Sequence, residues 1–178
     1  MSEANRIERA IASADAEDFD LRALASGCAE SYRALAAPRA LRVELPTAAV
    51  PFHGAPELVA QALDKLFDNA CSFTPVDGWI GLTLLQQGGS ATIRVANSGP
   101  LLPVTMQERL FDSLVSVRDR GPRGGEVPHL GLGLYVVRLV AELHRGVISA
   151  HDLSDAVGVE FTLQLAGMPR RPLTAPAT

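Results

Sequence analysis

Cysteine is scarce in this 178-residue chain, with Cys28 and Cys71 its whole complement. Neither stands at a metal-ligand spacing, so a thiol-held metal is excluded and a reducing compartment fits. Cys28 falls on the helical stripe Leu21, Leu24, Cys28, Leu35 and reads as a buried reduced thiol. The histidines His53, His129, His144 and His151 show no zinc pattern either. Bases are outnumbered: 16 Lys and Arg against 20 Asp and Glu leave a net charge of −4. No basic run tracks the chain, which argues against a nucleic-acid partner. No run of about 18 apolar residues and no signal-peptide pattern occurs. The chain is therefore expected to be soluble as it stands and to make no membrane contact, although a longer parent protein is free to carry a membrane segment. No internal repeat is visible, and there is no Walker-type phosphate loop.

What is there is an ordinary globular composition, 47% apolar and 20% charged, long enough for one domain with a real core. Residues 1–17 are polar and Ala-rich, with Ile7, Ile11 and Ala14 at helical spacing, and read as a helix end whose packing partner is missing. Asp20 is placed to cap a helix that runs to about Ala36, and Pro38 stops it. Ala40–Leu45 and Ala49–Phe52 read as short strands around a turn at Pro46. Gly54-Ala55-Pro56-Glu57 opens a second helix, with proline where its missing N–H costs nothing and Glu57 complementing the dipole. That helix runs to about Ser72. Its apolar face is Val59, Ala62, Leu63, Leu66, Phe67 and Ala70, while Gln61, Asp64, Lys65, Asp68 and Ser72 lie opposite, with Asn69 on the border.

Trp79–Gln86 and Ala91–Ala96 alternate with period two across Gly88-Gly89. They predict a hairpin with Ile80, Leu82, Leu84, Ile93 and Val95 facing inward. Val104–Asp112 reads as a short helix, and Ser113–His129 as a long polar loop of the kind that is usually functional. Leu132–His144 predicts a helix that is apolar nearly all round, wet only along Arg138, Glu142 and Arg145, with Gly146 as its C′ residue. Val147–Asp152 and Val157–Leu165 close the domain as strands, and the proline-bearing 167–178 reads as a disordered tail. The fold class expected is an α/β (α+β) two-layer sandwich, a mixed sheet covered by helices on one face.

Several residues carry candidate chemistry. Asn69 offers a neutral, hard amide oxygen suited to Mg²⁺, one turn after Lys65; equally, it is a hydrogen-bonding residue at the edge of a core. In Asn97-Ser98-Gly99-Pro100, Asn97 Oδ1 supplies the acceptor that a purine amine needs, and Gly99 lets the backbone come close to a base; the plain alternative is a turn after a strand. Gly131-Leu132-Gly133-Leu134 opens a helix whose unpaired N–H groups attract phosphate, though a lone GxG also serves helix–sheet packing. Arg118, Arg120 and Arg123 precede it and are placed to clamp phosphates, or are simply solvated. Leu110-Phe111-Asp112 reads as an aromatic plug that anchors the loop.

The order of these segments resembles the catalytic ATP-binding domain of bacterial sensor histidine kinases, in the GHKL superfamily. Gln61–Pro75 looks like the N box, Asn97–Pro103 the first glycine box, Leu110–Asp112 the F box and Gly131–Leu134 the second glycine box. The resemblance implies a Bergerat-type sandwich over about residues 18–166, with a lid at about 113–129, and makes 1–17 the end of a dimerisation and phosphoacceptor hairpin. It implies ATP and Mg²⁺ as cofactors. Asn69 matches the magnesium-binding asparagine, Asn97 the adenine-reading aspartate, Phe73 a base-packing tyrosine, and Gly131 and Gly133 the glycines beside the triphosphate, with Leu132, Leu134, Arg118 and Arg120 around them. Lys65 and Ser72 depart from the pattern, standing for an asparagine and a phosphate-facing lysine. Lys65 is placed to replace that lost charge. No histidine here sits in a phosphoacceptor context. The implied partners are therefore the nucleotide, a phosphoacceptor His domain of the same receptor and a response regulator. The implied location is the cytoplasmic side of an inner-membrane sensor, and the isolated chain is expected not to phosphorylate itself. Two alternatives stay open: another GHKL ATPase or serine kinase with Asp68 activating water, and a degenerate domain that only docks partners.

Overall fold

The computed structural model describes residues 3–104, 109–112 and 132–170. Helix α1 (Glu3–Ala12) leads into a short strand β1 (Glu17–Asp20), then α2 (Leu21–Ala36), β2 (Ala40–Glu44), β3 (Pro51–Gly54) and α3 (Pro56–Phe73). The hairpin β4 (Trp79–Gln87) and β5 (Ser90–Ser98) follows, then α4 (Gly133–Leu143), β6 (Val147–Asp152) and β7 (Gly158–Leu165). Five strands form one mixed sheet in the order β2-β4-β5-β7-β6. Among the described strands only β2 and β4 run parallel, and the crossover this demands contains α3. The two-layer sandwich expected from the pattern is the fold observed.

Alternation explains the layering. Ile80, Leu82 and Leu84 of β4 and Ile93 and Val95 of β5 are buried, and they meet Val59, Leu63, Leu66 and Phe67 of α3 and Val137 and Val140 of α4. Each such aliphatic side chain contributes about 1.5–3 kcal/mol by leaving water. The opposite sheet face stays wet: Arg42 stacks over the Trp79 ring at 4.7 Å, and Arg94 and His151 flank Glu160. Asp20 caps α2 by accepting from Arg22 N at 3.0 Å, and the same carboxylate accepts from Val50 N. These amide donors, Val50 first, hold its pKa below the usual carboxylate value.

Several expectations are corrected. The buried face of α2 is Leu21, Ala25, Ala29, Tyr32 and Ala36, while Leu35 is 66% exposed. Cys28 packs at the edge of this face, where burial pushes its thiol up to about 11. The strand after Pro46 begins at Pro51 and pairs with β1 in a separate two-stranded ribbon, with Phe19 edge-on to Phe52. The N-terminal helix does have a packing partner: Ile11 is buried, Ile7 is partly so, and the Tyr135 hydroxyl of α4 donates to Glu8. Of the expected helix over Val104–Asp112, Val104 is 3₁₀-helical and 109–112 form a turn and bend, while positions 105–108 lie outside the described residues.

At the end of α4 it is Arg145, not Gly146, that takes the left-handed conformation, at φ +53°. Gly146 N–H then closes onto Ala141 O at 2.8 Å. Gly146 is needed for another reason, since a Cβ there would stand 1.8 Å from Gln164 O. The first residues of the expected tail are tied down. Met168 N–H donates to His53 O at 2.8 Å, and Arg170 grips Asp18 through both terminal nitrogens. Residues 171–178 lie outside the described residues.

Candidate functional site

Helix α3 is the floor of the site, and both its ends are pinned. Its N-terminal donor Ala55 N–H is satisfied by His144 Nε2 at 3.0 Å, while His144 Nδ1 donates to Val140 O at 2.7 Å. His144 is wholly buried and therefore neutral, its pKa lowered by desolvation. At the other end Thr74 Oγ1 donates to Ala70 O at 2.6 Å, and Arg39 Nε donates to Thr74 O at 2.8 Å. A rigid helix thus presents Lys65, Asn69 and Phe73 at successive turns of one side. The first two are half-buried and Phe73 is 40% exposed.

Strand β5 delivers Asn97 and Gly99 to the end of this helix. Asn97 is 3% exposed, and its Nδ2 donates to Ser98 O at 3.1 Å. Among the described residues nothing donates to its Oδ1, the acceptor a purine amine would use. Gly99 has φ +138°, and a Cβ there would lie 2.6 Å from Phe73 O. Glycine is required for β5 to end against the last turn of α3. From the other side, α4 begins at Gly133, over the stem of Lys65: a Cβ there would touch Lys65 Cδ at 3.6 Å. The residue before it, Leu132, offers no side-chain acceptor to the first N–H groups of α4. Lys65, Asn69, Phe73, Asn97, Gly99, Leu132, Gly133 and Leu134 are thus distributed along one side of α3 and the two termini that meet it. Gly131, Arg118, Arg120 and Arg123 lie outside the described residues.

Asp68 is turned elsewhere. Its Oδ1 accepts from the Tyr32 hydroxyl of α2 at 2.6 Å, and Tyr32 itself stacks on Phe67 at 4.9 Å. Burial, then that carboxylate, pushes the Tyr32 pKa up. The neighbouring Asp64 is raised too, by burial first and by Asp68 second. Asp68 is therefore engaged on the α2 side of the helix. Ser72 bonds back to Asp68 O at 2.8 Å and leaves Lys65 as the cation under the start of α4.

A family model for histidine kinase-, DNA gyrase B- and HSP90-like ATPases (HATPase_c) matches residues 54–167, which run from the last residue of β3 past the end of β7. The chain belongs to this family. The heme sensor protein HssS of Staphylococcus haemolyticus is 32% identical over 116 residues, covering 65% of this chain and 24% of its own. The sensor protein CreC of Escherichia coli K12 is 30% identical over 146 residues, 82% of this chain and 30% of its own. The chain thus spans under a third of the length of these curated relatives. Among solved structures, full-length ShkA in complex with AMPPNP superposes with a TM-score of 0.74 at 19% identity, over 94% of this chain and 35% of that one. That likeness shows the fold.

Three features of this HATPase_c chain escape the sequence patterns. Tyr32 is not on the stripe that the sequence picks out for α2, yet it holds Asp68. His144, the last residue of the predicted Leu132–His144 helix, satisfies the N-terminal donor of α3; its place on an otherwise apolar helix is the available signal. Arg138, assigned to a wet stripe, donates to Asp112 at 3.1 Å, behind Phe111, which meets Phe161 edge-on at 6.2 Å. With Leu110 in the core, the 110–112 segment is anchored by both apolar and ionic contacts.

Proposed function

We propose that this chain is the part of a sensor histidine kinase that holds Mg-ATP and offers the γ-phosphate to a histidine on another segment of the receptor. The observation that carries the reading is the meeting of three elements. The Lys65–Asn69–Phe73 side of α3 lies between the Asn97–Gly99 end of β5 and the Gly133 start of α4. That side supplies a hard neutral oxygen for a cation, a cation for phosphate and an aromatic ring for a base. The strand end supplies an amide oxygen that accepts from none of the described residues, and the helix start supplies N–H donors with no side-chain cap from Leu132. When bound, Mg²⁺ would neutralise and orient phosphate oxygens, and Asn69 Oδ1 is the residue suited to hold it.

The chemical work left to the protein is positioning and charge stabilisation, because neutral imidazole is already a nucleophile. No general base in this chain is demanded, and the engagement of Asp68 by Tyr32 disfavours a water-activating ATPase. Asn97 reads the purine amine as a neutral acceptor, which forgoes about 1 kcal/mol of charge assistance relative to a carboxylate. On this reading the parent protein is an inner-membrane sensor with this domain on the cytoplasmic side, passing phosphate from its histidine to a response regulator. No described helix is long and apolar enough to cross a membrane.

The test is incubation of the chain with γ-labelled ATP, alone and with a purified hairpin bearing the phosphoacceptor histidine. Label is expected on the hairpin and none on this chain. Strong label on this chain alone, or phosphate release that Asp68→Asn abolishes, would favour the serine-kinase or ATPase alternatives.

A further inference from the structure

A polar chain runs from α1 through α4 to the 109–112 segment. The Tyr135 hydroxyl, on a residue that is itself buried, donates to Glu8 of α1. The Arg138 guanidinium lies over the Tyr135 ring, 5.1 Å from its centroid, and donates to Asp112 Oδ1 at 3.1 Å. Its Nε is buried without a hydrogen-bond partner among the described residues. Glu142 Oε1 stands 3.6 Å from it, within ion-pair range but too long for a hydrogen bond. A guanidinium that leaves one donor unsatisfied is oriented by its other contacts, here the ring and Asp112. Tyr135 lies two residues beyond Gly133, the helix start above Lys65, and Asp112 follows Phe111, which rests on Phe161 of β7.

We propose that Arg138 is a positioning residue. With Tyr135 it makes one mechanical unit of α1, the first turn of α4 and the 110–112 anchor, so that the seating of α1 sets how well the start of α4 meets phosphate. The ion pair alone, half-exposed at both ends, would contribute little. What makes it informative is its series connection: Glu8 and Asp112 share no contact, yet both act on the Tyr135–Arg138 pair. The link gives the segment preceding the domain a physical route to the nucleotide site, and this deepens the functional reading above.

The experiment uses the full chain and two readings. Amide hydrogen exchange without nucleotide reports Asp112 N–H, which donates to Arg109 O, and the first-turn amides of α4. Titration with a fluorescent ATP analogue and Mg²⁺ reports affinity. Glu8→Gln is expected to speed exchange at Asp112 and to weaken affinity about fivefold, at the low end of ordinary site-to-site coupling. The effect of Asp112→Asn should shrink in an Arg138→Gln background, and Arg138→Lys should restore part of it. Glu30→Gln, on the exposed face of α2, should change neither reading. The proposal is overturned if Glu8→Gln leaves exchange at Asp112 unchanged, or if the Glu8 and Asp112 effects simply add. A wild-type chain that gives no saturable titration defeats the nucleotide reading instead, and the exchange arm still decides the link.

Discussion

Gly99 and Asn97 sit two residues apart and depend on different physics. At Gly99 both the backbone angle and the 2.6 Å approach to Phe73 O forbid a Cβ. Gly99→Ala is therefore expected to cost about 1–3 kcal/mol in urea unfolding, with nucleotide affinity falling alongside. Asn97 is buried, with its amide nitrogen paired to the backbone, so Asn97→Ala should weaken a purine nucleotide while inorganic triphosphate binds as before. Comparison of the two ligands checks the assignment. His144 gives a pH signature. Its folded-state pKa lies below the ordinary 6.5, so the unfolded chain binds the extra proton. Its contribution is complete above that value and drains as pH falls from 6.5 toward the lowered folded pKa. Melting temperature should drop between pH 7 and pH 5, and His144→Leu should flatten that limb while costing about 2 kcal/mol by orphaning Ala55 N–H. The depressed carboxylates Asp18 and Asp20 act in a separate window, below the ordinary carboxylate value of 3.8.

Helix α3 shows what is legible in a sequence at the scale of an element. Its buried residues Val59, Ala62, Leu63, Leu66, Phe67 and Ala70 are the apolar face that the 3.6-residue period picks out, and the β4–β5 hairpin follows its period of two. Both signals are local. The β1–β3 ribbon is not legible, because EDFD has no apolar alternation and its partner lies beyond a 16-residue helix. The docking of α1 on α4 and the Arg138–Asp112 pair are hidden for the same reason: periodicity says which face is wet and is silent on which distant side chain meets it. Residue types are what the sequence offers for the candidate site; the approaches of Gly133 to the stem of Lys65 and of Gly99 to Phe73 are not legible in it. Asp68 stands next to Asn69 in sequence and is held by Tyr32 on another side of the helix. Tyr32→Phe should therefore lower stability by about 1 kcal/mol and leave nucleotide affinity unchanged, as paired melts and titrations would report.

As a whole, the molecule is a sheet that carries a helical layer on one face, with the candidate site where α3, the end of β5 and the start of α4 converge. A sandwich of this kind supplies rigidity and a cation-bearing floor, and the proposed phosphoacceptor comes from outside it. The account's central claim is that this convergence is a Mg-nucleotide site, and titration with a fluorescent ATP analogue, with and without Mg²⁺, for the wild-type chain and Asn69→Ala tests it most directly. The account predicts saturable binding that Mg²⁺ strengthens, and loss of that strengthening in Asn69→Ala while the melting temperature stays within a few degrees. Absence of a saturable signal, or a Mg²⁺ effect that survives in Asn69→Ala, would contradict it.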